Sequence, residues 1–411
     1  MNRLALLATI VFLTATVAAC SGGSSEQVLS RSDYPDRLRA FWLSQSIANW
    51  TGLHTEGDRT AIPYYTDDDW QDFDFVLDQG IWSADDDTDI EYIYQNALET
   101  YETEILTAEQ IRDQWLEHID GSYIWVSNET AYYLMLEDGL LPPETSLPQN
   151  NPNWEQIDAQ LTTEIFGLLA PGRPDVALAM GELPVQVTAR GDAQLAAEFY
   201  IIMHSLAAYA IENITDTNGD GDPYDEQVFW LAEQARTQTA DDSYIAGMYD
   251  WVLNEYNNNP DKDNWEATRD AFHYAYVEGG GNGYQFTNWY DSGSNFGLSM
   301  ISLMYGEGDL RRTVQIGSLA GMDSDNPTAT WGGLLGFLYG YEGVQQAYDE
   351  DDFNDIYWIG RTRVNFSPDW DTFTALGERG VEIIDRVVLE QIGGSIKDDR
   401  WQIPLSGDSY K

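Results

Sequence analysis

A chain of 411 residues carrying 20 basic and 70 acidic side chains, a net charge of −50, argues against nucleic acid or anionic lipid as a partner. Its 15 Trp, 25 Tyr and 14 Phe supply apolar bulk for a large core, and one cysteine, Cys20, leaves no internal disulfide to staple it. Acidity on this scale reads as a solvated surface rather than as a mark of catalysis.

In chain order, Met1-Asn2-Arg3 is a short cationic segment, Leu4 to Val17 an apolar run, and Ala18-Ala19 the small residues ahead of Cys20. This pattern predicts a signal peptide over 1–19 and a lipobox in which Cys20 becomes acylated. Ser21-Gly22-Gly23-Ser24-Ser25 opens a flexible tether expected to span 20–32, and Ser21 resembles an outer-membrane sorting signal. The expectation is a lipid-anchored protein of the cell envelope, facing periplasm or exterior. Residues 33–411 are then expected to form one domain, acting as a monomer.

That domain reads as all-α. Leu38, Phe41, Trp42 and Gln45 mark one face of a helix ending near Gly52. Thr88-Asp89-Ile90-Glu91 predicts a capping box that opens a second helix, and Thr107-Ala108-Glu109-Gln110 predicts another. A helix follows Asn128 and stops at Gly139, and the Pro- and Asn-rich stretch 147–154 is a loop. Asp192 to Glu212 is apolar enough for a buried central helix, while Gly332, Gly336 and Gly340 let a neighbouring helix approach closely.

Two acidic clusters precede helices: Asp85-Asp86-Asp87-Thr88 and Gly321-Met322-Asp323-Ser324-Asp325-Asn326. Their hard oxygens suit Mg²⁺, Mn²⁺ or Ca²⁺, although acidic residues also gather at helix N-termini simply because the dipole favours them. Three successive carboxylates repel one another unless cations neutralise them. Asp216, Asn218, Asp220 and Asp222 alternate like a calcium loop with Gly221 at the sixth place, but Gln227 stands at the twelfth; a structural Ca²⁺ and an acidic turn fit equally well. Four histidines without ligand spacing make structural zinc a poor fit. Gly279-Gly280-Gly281-Asn282-Gly283 reads as a loop, His54 as structural, and Trp50, Trp289 and Tyr290 as rings that could line a cleft.

Four segments, in order, resemble the ADP-ribosylglycohydrolase family over nearly the whole domain. Ser46 to Glu56 resembles its first motif, with Gly52 at the helix end and Glu56 in the place of the functional glutamate. Asp85-Asp86-Asp87-Thr88 is similar to its Thr-Asp-Asp-Thr metal motif. Thr188-Ala189-Arg190-Gly191-Asp192 resembles the segment that approaches ribose and phosphates, and Asn295 with Gly321 to Asn326 resembles the final block. The resemblance implies an orthogonal helical bundle and a binuclear Mg²⁺ or Mn²⁺ centre held by Asp86, Asp87, Asp323 and Asp325, with Asp85 and Asn326 standing where threonine or serine is usual. It also implies hydrolysis of a ribosyl bond, with Glu56 acting on water or orienting the sugar and with Gly52, Arg190, Gly191, Asp192 and Asn295 near the substrate. Two departures are Ala48-Asn49 for the family's Gly-Asp and Ala189 for a histidine. Three functions follow: a metal-dependent glycohydrolase acting on an ADP-ribosyl-like substrate, an extracytoplasmic hydrolase of another furanoside, nucleoside or nucleotide-sugar, and a non-catalytic binding lipoprotein that retained the fold.

Overall fold

The computed structural model describes residues 26–404 apart from Arg361; Cys20 and the signal peptide lie outside the described residues. Helices dominate. They run α1 (Tyr34–Gly52), α2 (Asp86–Thr100), α3 (Ala108–His118), α4 (Val126–Glu137), α5 (Ile165–Leu169), α6 (Pro174–Val185) and α7 (Gly191–Asn213) in the first half. The second half adds α8 (Tyr224–Gln238), α9 (Tyr244–Asn258), α10 (Trp265–Phe272), α11 (Ser292–Gly306), α12 (Leu310–Leu319), α13 (Asp325–Tyr348) and α14 (Phe373–Arg386).

The tether expectation over 20–32 fails from residue 26 onward. Glu26–Ser30 forms strand β1, paired antiparallel with β5 (Arg400–Pro404) from Glu26 opposite Pro404 to Ser30 opposite Arg400. The alternating exposed and buried residues Glu26, Gln27, Val28 and Leu29 give it one inner face, which a Gly/Ser tether lacks. β4 (Ser395–Lys397) completes that sheet, and β2 (Ile356–Trp358) pairs with β3 (Trp370–Thr372).

The first helix is buried around most of its circumference, because α13 lies along one side and α14 along another. Glycines set the closest approach: a Cβ at Gly332 would sit 2.9 Å from the Ser44 carbonyl oxygen, and one at Gly336 would sit 2.6 Å from that of Ala40. Gly340 serves differently from expectation. It adopts φ 72° and kinks α13, so it breaks the helix where its two predecessors admit a partner. The apolar segment beginning at Gly191 is a central buried helix as its composition predicts, packing Phe199 and Tyr200 against Phe296 and Tyr200 against Trp331.

The box at Thr107 caps α3 through its bond from the Gln110 amide, with the Gln110 side chain returning to Thr107. The box at Thr88 does not form. Helix α2 begins earlier, with Asp85 at its N-cap, and Glu91 turns into the core to accept from the Ile165 amide at 2.7 Å and the Gln45 amide group at 2.9 Å. Tertiary donors win over the local cap because a buried carboxylate without partners costs more than an unmade cap. Helix α4 likewise starts two residues before Asn128.

Candidate active site and metal centre

The C-terminal end of α1 and the N-terminal ends of α2 and α13 meet at one cleft of about 700 Å³. Gly52 makes that meeting feasible: a side chain there would run into the Asp325 Cα and come within 2.7 Å of the Ser324 carbonyl oxygen. The Glu56 loop is stitched to the Asp323 loop by main-chain bonds from Gly57 to Met322 (2.9 Å) and from Met322 to Arg59 (3.1 Å), and Thr55 Oγ1 meets Ser324 Oγ at 3.0 Å. Asn295 on α11 fixes the same loop from below. Its Oδ1 accepts from the Asp323 amide at 3.1 Å, while its Nδ2 donates to the carbonyls of Trp289 (3.0 Å) and Asp291 (2.8 Å).

The carboxylates converge in two overlapping triads. Oxygens of Asp85, Asp87 and Asp325 lie within 4.8 Å of one another, as do oxygens of Glu56, Asp323 and Asp325. Asp325 belongs to both. Burial raises the acid strength threshold of Asp86, Asp87, Asp323 and Asp325 well above the ordinary carboxylate range, and neighbouring carboxylates push it further. Two devices offset the crowding: helix N-termini under Asp85–Asp87 and Asp325, and Asn49 Nδ2, which donates to Asp85 Oδ1 (2.9 Å) and Asp325 Oδ2 (3.3 Å). Asp325 Oδ1 is buried and has no hydrogen-bond partner among the described residues. A buried carboxylate oxygen left in that state is suited to a cation, and an all-oxygen donor set is the chemistry of Mg²⁺ or Mn²⁺. The residues fit a hard divalent ion.

The profile of the family described as ADP-ribosylglycohydrolase matches residues 30–362. The chain belongs to that family. Its ADP-ribosylglycohydrolase membership makes it one of a group of glycosyl-bond hydrolases, and the mostly helical architecture agrees. Among curated proteins nothing matches. A solved structure titled "ADP-ribosylglycohydrolase-related protein complex" is similar at 12% identity and TM-score 0.49, over 86% of this chain and 98% of that one.

The ADP-ribosylglycohydrolase motifs thus divide by position. Glu56, Asp85, Asp86, Asp87, Asp323 and Asp325 all line the cleft, and Asn128 Nδ2 donates to Asp86 Oδ2 at 3.4 Å. Asn326 is wholly buried and bridges Asp87 (3.5 Å) to Gln160 (3.4 Å), which places it behind a carboxylate. Gly52 and Asn295 shape the site through packing and backbone bonds and do not line it. Arg190, Gly191 and Asp192 stand away from the cleft wall: Arg190 donates to Ser146 Oγ (3.0 Å) and the Pro143 carbonyl (2.8 Å), Gly191 packs under Trp154, and Asp192 accepts from the Tyr244 amide. The calcium-like loop uses its oxygens locally. Asp216 accepts from the amides of Gly219 and Gly221, Asn218 from that of Asp220, Asp220 from that of Asp222, and Asp222 from that of Tyr224.

Sequence reasoning missed Asp158, which lines the cleft from a short 3₁₀ turn, Ile157–Ala159. It caps α4 by accepting from Ser127 Oγ (2.5 Å) and the Asn128 amide (2.8 Å), and burial pushes its carboxyl up to about 6. A lone Asp in a loop carries no local signal. Trp125, Val126 and Glu129 were missed for the same reason.

Proposed function

We propose that the cleft hydrolyses a ribofuranosyl glycosidic bond with the help of two Mg²⁺ or Mn²⁺ ions. The observation that carries this reading is Asp325: it is common to two carboxylate triads, and its buried Oδ1 has no hydrogen-bond partner among the described residues. Asp85 and Asp87 would hold one ion and Glu56 and Asp323 the other. Bound there, the ions would fix sugar hydroxyls and a water in one geometry and offset the negative charge of nearby oxygens. Glu56 is partly exposed to the cleft, unlike the buried Asp323 and Asp325, so its carboxylate can reach a water or a sugar hydroxyl and take a proton. Asn49 holds Asp85 and Asp325 at a set spacing, and Asn295 does the same for the Asp323 backbone, so the pocket is formed before substrate arrives. Leu161 and Ile157 give the wall an apolar stretch.

Thermal unfolding with Mg²⁺ or Mn²⁺, paired with a ribosyl-hydrolysis assay, tests the reading. Wild type should gain stability and turn over, and Asp323→Ala should lose both responses while remaining folded. A metal-indifferent wild type sinks the catalytic reading and leaves the binding lipoprotein.

We also place the protein at the cell envelope as a lipoprotein, on the strength of the segment Met1 to Cys20. Metabolic labelling with palmitate should mark wild type and spare Cys20→Ala.

A further inference from the structure

We propose that Asp89 and Arg363 are positioning residues for the metal centre: their buried ion pair fixes the first turn of α2, and with it the direction in which Asp85, Asp86 and Asp87 point. The inference rests on the metal-dependent reading above and adds two residues to it.

The three aspartates sit between two attachments to one distant stretch of chain. Upstream, Trp82 exchanges main-chain bonds with β2: its amide donates to the Ile356 carbonyl (3.0 Å), and its carbonyl accepts from the Trp358 amide (2.7 Å). Downstream, the Asp89 amide donates to the Asp85 carbonyl at 2.8 Å, the bond that opens the helix. The Asp89 carboxylate then reaches back to the same stretch as Trp82. Its Oδ1 lies 2.7 Å from Arg363 Nη2 and accepts from the Tyr357 hydroxyl at 3.2 Å, while its Oδ2 accepts from the Thr362 amide at 3.3 Å. Donors from three residues thus hold one carboxylate two positions after Asp87. These donors are themselves braced against the end of α3, where the Thr362 carbonyl accepts from the Asp120 amide (2.7 Å) and the Val364 amide donates to the His118 carbonyl (2.9 Å).

The energetics of the pair point to orientation rather than stability. Both side chains are fully buried, and two charges taken out of water are often no more stabilising than well-packed apolar groups of the same size. Arg363 does not recover that cost in hydrogen bonds. Its Nη2 also donates to the Trp358 carbonyl at 2.9 Å, but Nε and Nη1 are buried with no partner among the described residues. The rings of Tyr92 and Tyr357 cover the guanidinium, with centroids 4.7 and 4.4 Å from its carbon. What three directional donors supply, and an apolar contact lacks, is a fixed rotation of α2 about its own axis. Rotation would swing Asp85 and Asp87 away from Asp325, with which their oxygens close to within 4.8 Å.

The test is Mn²⁺ binding to the full chain, read by electron paramagnetic resonance of the free ion, beside urea unfolding, on wild type, Arg363→Met and Asp89→Leu/Arg363→Met. Arg363→Met leaves Asp89 buried without its partner, and should lose stability together with Mn²⁺ affinity, the latter on the order of ten-fold. The double variant replaces both charges by apolar groups of similar shape. It should regain the stability and keep the weak Mn²⁺ binding, a split that a merely structural pair would not give. Wild-type Mn²⁺ affinity in the double variant overturns the inference and leaves the glycohydrolase reading standing, whereas a wild type that binds no Mn²⁺ sinks both. Should the methionine variants not fold, Tyr357→Phe takes their place, since it removes only the 3.2 Å donor. It should weaken Mn²⁺ binding about two- to three-fold at an unchanged urea midpoint, and unchanged binding overturns the inference.

Discussion

The cleft and the loop at residues 216–222 are both dense in aspartate, yet they use those side chains in opposite ways. In the loop, Asp216 spends both carboxylate oxygens on the amides of Gly219 and Gly221, and Asn218, Asp220 and Asp222 each accept from an amide two residues on. In the cleft, Asp85, Asp87 and Asp325 come from two helix starts far apart in sequence and face each other, and Asp325 keeps an oxygen that no donor satisfies. Acid content therefore does not identify a cation site. What separates the two is convergence: Asp225 Oδ1 and Glu226 Oε2 beside the loop are also buried without a partner among the described residues, but only in the cleft do carboxylates from distant helix starts close into triads.

The sharpest way to break that comparison is Asp325→Asn. It should abolish turnover and the metal-dependent rise in stability, which for wild type at 100 times Kd amounts to about 2.7 kcal/mol by linkage. Thermal unfolding with and without Mg²⁺ reads both, and a variant that still responds to metal would remove the shared-ligand role. Next in size, Asn295→Ala should lower kcat/KM by roughly 10- to 100-fold and weaken metal binding, because Asp323 loses the bond that orients its backbone. Steady-state kinetics across a metal titration would show it.

Gly52→Ala should cost about 1–3 kcal/mol in urea unfolding, since the added methyl meets backbone at Asp325 and Ser324 rather than a side chain that can swing away. Asp216→Ala should cost about 1 kcal/mol from lost turn bonds, with turnover and the Mg²⁺ response intact. A Ca²⁺-dependent change in that variant's unfolding, relative to wild type, would show that the loop does more than hold its own turn.

Acidity offers a subtler contrast. In the core, Glu91 and Glu164 face each other; burial raises both, Glu164 to about 7 against an ordinary 4.5. A carboxyl raised in the folded state stabilises most below its unfolded value and loses that contribution as pH climbs through its folded value. Metal-free protein should therefore be more stable at pH 5 than at pH 8, on the order of one to a few kcal/mol, and Glu164→Gln should flatten the slope. Urea unfolding at the two pH values decides it.

Much of the site was legible before any coordinates. Glu56, the three aspartates at the start of α2 and the pair at 323 and 325 were named from motif order, and all line the cleft. Asp158 was not, because its role depends on the start of α4, some thirty residues upstream, being folded back over it. The resemblance put Arg190 in a segment near the substrate; in the structure its Nε and Nη2 donate to Ser146 Oγ and the Pro143 carbonyl. Glu91 looked like a cap because Thr88-x-x-Glu91 is a capping pattern, and a core donor from Ile165 redirected it.

The amino-acid order by itself determined the helical class, the helix that Thr107 caps, the central apolar helix and the identity of the converging acids, since those follow from periodicity, local bonding and short motifs. Only the tertiary structure decided which oxygens remain unspent, which glycines admit a neighbour and which aromatic rings reach the cleft. Those depend on contacts between residues up to hundreds of positions apart, and a one-dimensional pattern carries no record of the donors that burial will bring near.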